Sequence, residues 1–282
     1  MSRVYIFTDS TNDLNEELLH KYDIQVVPLY VIFEDESYRD GVTIKPEKLY
    51  ERVDQTGKLP KTAAPSPIDF EQAFAPYIEA GNRIVYIGLS SKLSSTIQNA
   101  TLASTQFEEG CVTVIDSRNL STGIGLLILK AAKAAKEGLD AKQIQALIEP
   151  VVNKIEVEFV IDTLEYLHKG GRCSSVQAAL GSLLKIRPLV KVMDGAMTLT
   201  DKVRGKREKA LDLLLNNALS QRNQIDDEFL FITHSMAAEE AAYLKREIER
   251  QTNVKQVCIT ETGCVISSHC GPRTVGIVFA KK

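Results

Sequence analysis

The stretch RIVYIGLSSKLSST, Arg83 to Thr96, decides the reading of the fold. The apolar run Ile84–Ile87 has the length of a buried strand, and Gly88 closes it. Hydroxyl side chains then crowd the turn at Ser90, Ser91, Ser94, Ser95 and Thr96. A helical pattern follows at Ile97, Ala100 and Ala103. Strand, polar turn and helix make the repeating unit of an open α/β sheet, whose ligands bind outside the carboxyl ends of the strands. Loop hydroxyls and the free N–H groups of the next helix suit a small anion there, carboxylate or phosphate. Plain capping of the helix by Ser94 or Ser95 explains the segment equally well.

The same alternation runs outward through the first half. Val4–Phe7 reads as a strand and Leu14–His20 as a helix, with Thr8-Asp9-Ser10-Thr11 between them as a capping cluster. Gln25–Phe33 is a longer strand-like run that contains Pro28, which marks an edge or a break. Pro46–Val53 reads as a helix with proline in its first turn. Lys61–Ser66 reads as a turn, and Ser66-Pro67 caps a helix carrying Phe70, Phe74, Tyr77 and Ile78. Beyond Thr96, Cys111–Ile115 is a strand, Asp116–Gly123 another polar turn, and Leu126–Ala135 and Ile144–Val152 are helices. The pattern predicts a mostly parallel, doubly wound sheet.

The second half reads as a smaller α+β layer, divided from residues 1–155 near residue 156. Val157–Ile161 is a strand and Val176–Leu184 a helix. Arg187–Val192 and Ala196–Lys202 pair through Met193-Asp194-Gly195, a strong hairpin signal. Helices over Lys206–Leu219 and Ala237–Gln251 alternate with strands at Phe229–Thr233, Lys255–Ile259 and Val275–Ala280. Two polar segments stand out. Gly170-Gly171-Arg172 puts a cation beside the start of a helix, where it is unfavourable unless an anion neutralises it. Gly263–Pro272 reads as a glycine-bounded loop carrying His269.

Composition excludes several classes. A net charge of −3 argues against a broad nucleic-acid surface. No apolar run approaches a membrane span, and Met1–Ser10 enters a strand without a signal-peptide pattern. Five cysteines without CxxC spacing suggest reduced thiols in the cytoplasm, not a disulfide framework or zinc site. No GxxxxGK[ST], GxGxxG, HExxH or GxSxG motif occurs. The basic cluster Lys202, Arg204, Lys206, Arg207 and Lys209 reads as a solvated helix start, with partner docking as the alternative.

Taken in order, TDS after the first strand, TAAPS, GLSSKLSST, DSRNLS, LEYLHKGGR and SSHCGP before VGIVF resemble the bacterial DegV family over essentially the whole chain. The resemblance implies a Rossmann-like first domain over residues 1–155 and a second, smaller α/β domain with a mixed sheet over 156–282. It implies a long-chain fatty acid buried between them. It further implies a non-catalytic partner of a separate ATP-binding fatty acid kinase subunit, which makes acyl phosphate for lipid synthesis. By motif, Thr62, Ser94, Ser95 and His269 would bind or support the carboxylate, and Arg172 would support transfer near the exit. No cofactor, metal or nucleic acid is implied, and no stable insertion in a membrane beyond transient contact. The family often has Ser-Gly-Thr where this chain has Ser94-Ser95-Thr96, so the Ser95 side chain stands where a helix backbone would approach the head group.

The physics agrees with such a ligand. A buried carboxylate must be hydrogen-bonded or paired, and a protonated His269 would add charge-assisted bonding. The tail gains about 0.8 kcal/mol per buried methylene. Ile124, Leu126, Leu127, Leu180, Leu183 and Leu184 are tunnel candidates, with ordinary core as the competing role of each. Two other readings stay open: a serine-dependent acyl hydrolase built on Ser94 and His269, and a phosphate- or sugar-binding regulatory module on the same fold.

Overall fold

The computed structural model describes residues 2–173 and 186–282. The helix expected over 176–184, with Leu180, Leu183 and Leu184, lies outside them. The strands of the first part are β1 (Val4–Asp9), β2 (Ile24–Val27), β3 (Tyr30–Phe33), β4 (Glu36–Arg39), β5 (Lys61–Ala63), β6 (Arg83–Gly88) and β7 (Val112–Asp116). Between and after them run α1 (Glu16–Tyr22), α2 (Pro46–Thr56), α3 (Pro67–Glu79), α4 (Thr96–Ser104), α5 (Thr122–Lys136) and α6 (Ala141–Val152). The later part holds β8 (Ile155–Val160), α7 (Glu165–Gly170), β9 (Ile186–Met193), β10 (Ala196–Arg204) and α8 (Arg207–Ser220). It closes with β11 (Ile225–Ser235), α9 (Ala238–Gln251), β12 (Gln256–Glu261), α10 (Cys264–Cys270) and β13 (Thr274–Lys281).

The quoted stretch does what its pattern predicts. β6 is a central strand of the parallel sheet β2-β1-β6-β7. On one face, Phe70, Phe74 and Ala100 from α3 and α4 pack on Phe7 and Tyr86. On the other, Leu18, Ile124 and Ile144 from α1, α5 and α6 join the main core with Ile6 and Val85. Helices on both faces make this part doubly wound, as expected. The Gln25–Phe33 run breaks at Pro28, which has no N–H to donate to a ladder. β2 stays in the parallel sheet, while β3 turns away into a separate antiparallel sheet, β4-β3-β5. The expected turn at Lys61 is therefore a strand in part, with Thr62 opposite Val31.

The later strands form the sheet β10-β9-β8-β13-β11-β12, in which only the β11–β12 pair is parallel. One face carries α8 and α9 through Leu211, Leu214, Leu244 and Ile248. The other brings Val157, Phe159, Phe231 and Val278 into the main core. We propose the division of the chain at residues 155 and 156, where this sheet begins. The Asp194-Gly195 turn has φ 50 and 84, the paired positive values that a two-residue hairpin requires. Its tip returns to the first sheet: Ser90 Oγ donates to Gly195 O at 2.7 Å, and Arg118 pairs with Asp194 at 3.2 Å.

Three readings are corrected here. The capping cluster after β1 does not cap α1. Asp9 caps a single 3-10 turn, Ser10–Asn12, and Asn15 caps α1 by accepting from Leu18 N. The loop expected around His269 is the helix α10, held by caps that come from far away in sequence. Arg207 is not a solvated member of a basic cluster: it is buried, with its guanidinium on Glu240, Asp162 and the Arg273 carbonyl.

Candidate functional site

A cavity of about 400 Å³ lies between the two larger sheets, within the usual range of small-molecule sites. Thr62, Ser94, Ser95, Arg172 and His269 all line it, so the structure brings every expected site residue together. Each arrives on a different support. Thr62 comes from β5, and Ser94 and Ser95 stand just before α4. His269 is on α10, and Arg172 follows α7. Leu29, Leu89, Leu93, Leu120, Phe159 and Val278 line much of the rest. The tunnel candidates Ile124, Leu126 and Leu127 belong to the main core instead.

The cavity has one polar end. Thr62 Oγ1 and His269 Nε2 lie 2.8 Å apart. Ser94 Oγ accepts from Thr96 N at 3.3 Å and is hydrogen-bonded to Thr96 Oγ1 at 2.7 Å. The capping role read from sequence is not met: the cap position is Ser95, without a side-chain cap bond, and Ser94 Oγ bonds only the next-but-one residue while it remains at the cavity wall. Ser95 is exposed and makes no side-chain cap bond. Its φ of −77 is negative, so serine needs none of the left-handed freedom of the glycine that the family often has there. Asn99, a lining residue that sequence reasoning missed, donates one amide hydrogen to Pro65 O.

Elsewhere the lining hydroxyls are already engaged. Thr233 Oγ1 bonds Thr122 and Thr260 at 2.7 and 3.0 Å, and Thr262 Oγ1 bonds Ser267 at 2.8 Å. Ser121 donates to Asp13, and Thr274 to the Cys270 carbonyl. These groups are satisfied by protein, so that part of the wall asks nothing polar of a ligand.

Electrostatics refine the role of His269. Burial, and secondarily the charge of Arg172, push its pKa down to about 4, so the ring is neutral at pH 7. The charge-assisted bond expected of a protonated imidazole is therefore absent from the protein's own resting electrostatics. Nδ1 is buried without a partner among the described residues and faces Gly170. A bare lone pair is the cheaper orphan, since an unbonded buried N–H forfeits a strong donor. The proton then sits on Nε2 and points to Thr62 Oγ1, which keeps its own O–H for a ligand. Arg172 donates to Gly170 O at 2.7 Å and to Leu93 O at 3.4 Å, stitching the end of α7 to the hydroxyl-rich loop. It has no carboxylate partner among the described residues.

The support for α10 comes from two buried aspartates that sequence reasoning did not single out. Asp40, 2% exposed, accepts from Cys264 N at 2.7 Å, Val265 N at 3.3 Å and Ser10 Oγ at 2.9 Å. Asp13 accepts from Gly263 N at 2.8 Å and Ser121 Oγ at 2.5 Å. Together they satisfy N–H groups that open the helix. Burial raises both carboxyl pKa values, that of Asp13 to about 8.

The hydrolase reading finds no assembled machinery. His269 bonds Thr62 rather than Ser94, and its other nitrogen meets no carboxylate among the described residues. Asp9 is buried among Thr11, Tyr86 and Leu89, and Asp116 accepts from Ser91 and Arg118. No helix of the described residues is long and apolar enough to cross a membrane.

Comparison with known proteins agrees with this geometry. A DegV domain-containing protein of Caldanaerobacter subterraneus subsp. tengcongensis is 32% identical over 282 residues, covering 100% of each chain. Among solved structures, a DegV family protein from Thermus thermophilus, described with fatty acid binding, matches at TM-score 0.93 and 32% identity, over 99% of this chain and 100% of that one. A stearic acid-binding protein from Eubacterium ventriosum matches at TM-score 0.90 and 27% identity, over 100% of this chain and 99% of that one. The family model described as "Uncharacterised protein, DegV family" spans residues 3–282, and the chain belongs to the DegV family.

Proposed function

We propose that this protein holds one long-chain fatty acid in the cavity between its sheets and presents the carboxylate to a separate ATP-using kinase subunit. The carrying observation is the shape of the polarity: hydroxyls, an imidazole and one arginine gathered at one end, and a wall elsewhere that is apolar or already bonded. Fatty acid binding in the Thermus thermophilus and Eubacterium ventriosum relatives supports the reading. Thr62, Ser94 and Ser95 donate hydroxyl protons to the carboxylate. His269 holds Thr62 in register, and its neutrality keeps the site from trapping the anion by full charge pairing. Ten buried methylenes contribute roughly 8 kcal/mol before ordering costs, enough for tight retention without a strong head-group ion pair. Arg172, exposed at the mouth and without a carboxylate partner among the described residues, supports the acyl phosphate as it forms. The protein acts without a cofactor of its own, in the cytoplasm, and touches membranes only in passing.

Mass spectrometry of the denatured protein tests the cargo: a long-chain fatty acid is expected, and a copurifying nucleotide or sugar phosphate refutes it. With the kinase subunit and ATP supplied, Ser94→Ala and His269→Ala are expected to slow acyl phosphate formation. Unchanged rates in both variants would remove these residues from the head-group site.

A further inference from the structure

The six-stranded sheet floors the cavity in rows, and its register locates the end far from the head-group residues. Thr274, Gly276 and Val278 of β13 all line the cavity, since alternate residues of a strand face the same way. Thr274 lies towards His269, for its hydroxyl donates to the carbonyl of Cys270 at 2.9 Å. In the next row Gly276 stands between Thr233 and Phe159, which also line the cavity. With no side chain of its own, the glycine leaves a trough between them. Val278 and Val157 face each other in the row after, again on the cavity. One row further, Ala280 and Ile155 are paired inside the main core, outside the lining. The lined part of β13 is about 13 Å long, the span of roughly ten methylenes in an extended chain.

The start of α5 closes this end. Leu120 and Ser121, just before the helix, line the cavity, and Thr122 Oγ1 bonds Thr233 Oγ1 at 2.7 Å. One residue on, Gly123 lies against Val157: a Cβ built there would fall 2.9 Å from Val157 Cγ2. The glycine therefore lets α5 settle onto the valine with nothing between them. Val157 is 3% exposed and branched at Cβ, so few rotamers are open to it. Helix on one side and close-packed core beyond leave the valine little room to yield to a ligand.

Depth fixed in this way becomes selectivity. Each methylene that stays in apolar contact raises the affinity of a straight chain about fourfold. A tail that has reached Val157 has no further apolar space ahead of it. Its next carbon must fold back on the chain or push into packed core, and overpacking of that kind is unfavourable. The gain per carbon therefore reverses at a length that the two methyls of Val157 define.

We propose that Val157, backed by Gly123, is the stop that sets the longest acyl chain the cavity accepts. The assignment rests on the fatty acid reading and adds the residue that selects among such acids. Delipidated protein is titrated with straight-chain saturated acids, lengthened one carbon at a time from dodecanoic to eicosanoic acid. Affinity is expected to rise to a maximum and then fall. Val157→Ala takes two methyl groups from the stop and is expected to move the maximum to a longer acid, by about one to two carbons. Val157→Leu adds one carbon and is expected to move it to a shorter acid, by about one carbon. Either variant alone decides the direction, so the alanine protein suffices if the leucine one does not fold. A maximum that stays in place while all affinities change by one factor overturns the stop, as does a shift opposite to the one expected. Those results leave the fatty acid reading intact, whereas a wild type that binds no acid of the series overturns both.

Discussion

Gly170→Ala tests the head-group site by adding a single methyl. Gly170 ends α7, and a Cβ built there falls 2.3 Å from His269 Nδ1 and 3.1 Å from Cε1. Ordinary contact needs about 3.5 Å, so the ring must shift by about 1 Å. The 2.8 Å bond to Thr62 tolerates no such shift. Losing it costs about 1 kcal/mol, or roughly a fivefold rise in the dissociation constant for a long-chain fatty acid. The backbone itself gains, because alanine is the better helix former by about 0.5–1 kcal/mol. Crowding the buried ring costs about 1–3 kcal/mol against that gain, so the expected pattern is weaker binding with a modest loss of thermal stability, read by titrating delipidated protein and by its melting. In a Thr62→Ala background the effect of Gly170→Ala should largely vanish, since the bond it breaks is already gone. Wild-type affinity in Gly170→Ala, or full additivity with Thr62→Ala, would refute the placement of His269 behind Thr62.

Asp40→Ala strands the Cys264 and Val265 N–H groups in the interior, and denaturant unfolding should show a loss of about 1–3 kcal/mol or more. Asp13, raised to about 8, keeps in the folded state a proton that the unfolded chain releases near pH 4. Folding stability should therefore fall as pH rises toward 8, by at most about 1.4 kcal/mol per unit. His269, lowered to about 4, gives the opposite slope only between about 4 and 6.5. Buried Asp9 and Asp40 are shifted in the same direction, so in chemical unfolding between pH 6.5 and 8 Asp13→Asn should remove the Asp13 share of the decline. Arg172→Ala is expected to spare fatty acid affinity and slow acyl phosphate formation with the kinase subunit; lost affinity with normal turnover of the bound lipid would reverse its role.

Much of the parallel sheet was legible because its strands are short apolar runs and its turns carry the polar residues. β6 and its hydroxyl loop, the Asp194-Gly195 hairpin and the Ser66 cap all announce themselves locally. β4 did not: Glu36-Ser37-Tyr38-Arg39 is polar and mostly exposed, and exists only because β3 offers it an edge. α10 was misread for a related reason. Cys264-Val-Ile-Ser-Ser-His-Cys270 has poor helix formers between two glycines. What makes it helical is the pair Asp40 and Asp13, more than two hundred residues away. Asp40 itself sits in Asp40-Gly41, which reads as turn chemistry. The site residues were found through family motifs.

The detour that Pro28 sets in motion has a mechanical consequence. Between β2 and α3 the chain leaves the parallel sheet and grips the far side of the molecule at three points. Asp40 clasps the start of α10, Tyr50 bonds Ser235, and Thr62 bonds His269. This loop of chain works like a dovetail, let into the C-terminal layer while rooted in the N-terminal one. Heat cannot loosen one layer while sparing the other, and the protein should melt in a single step.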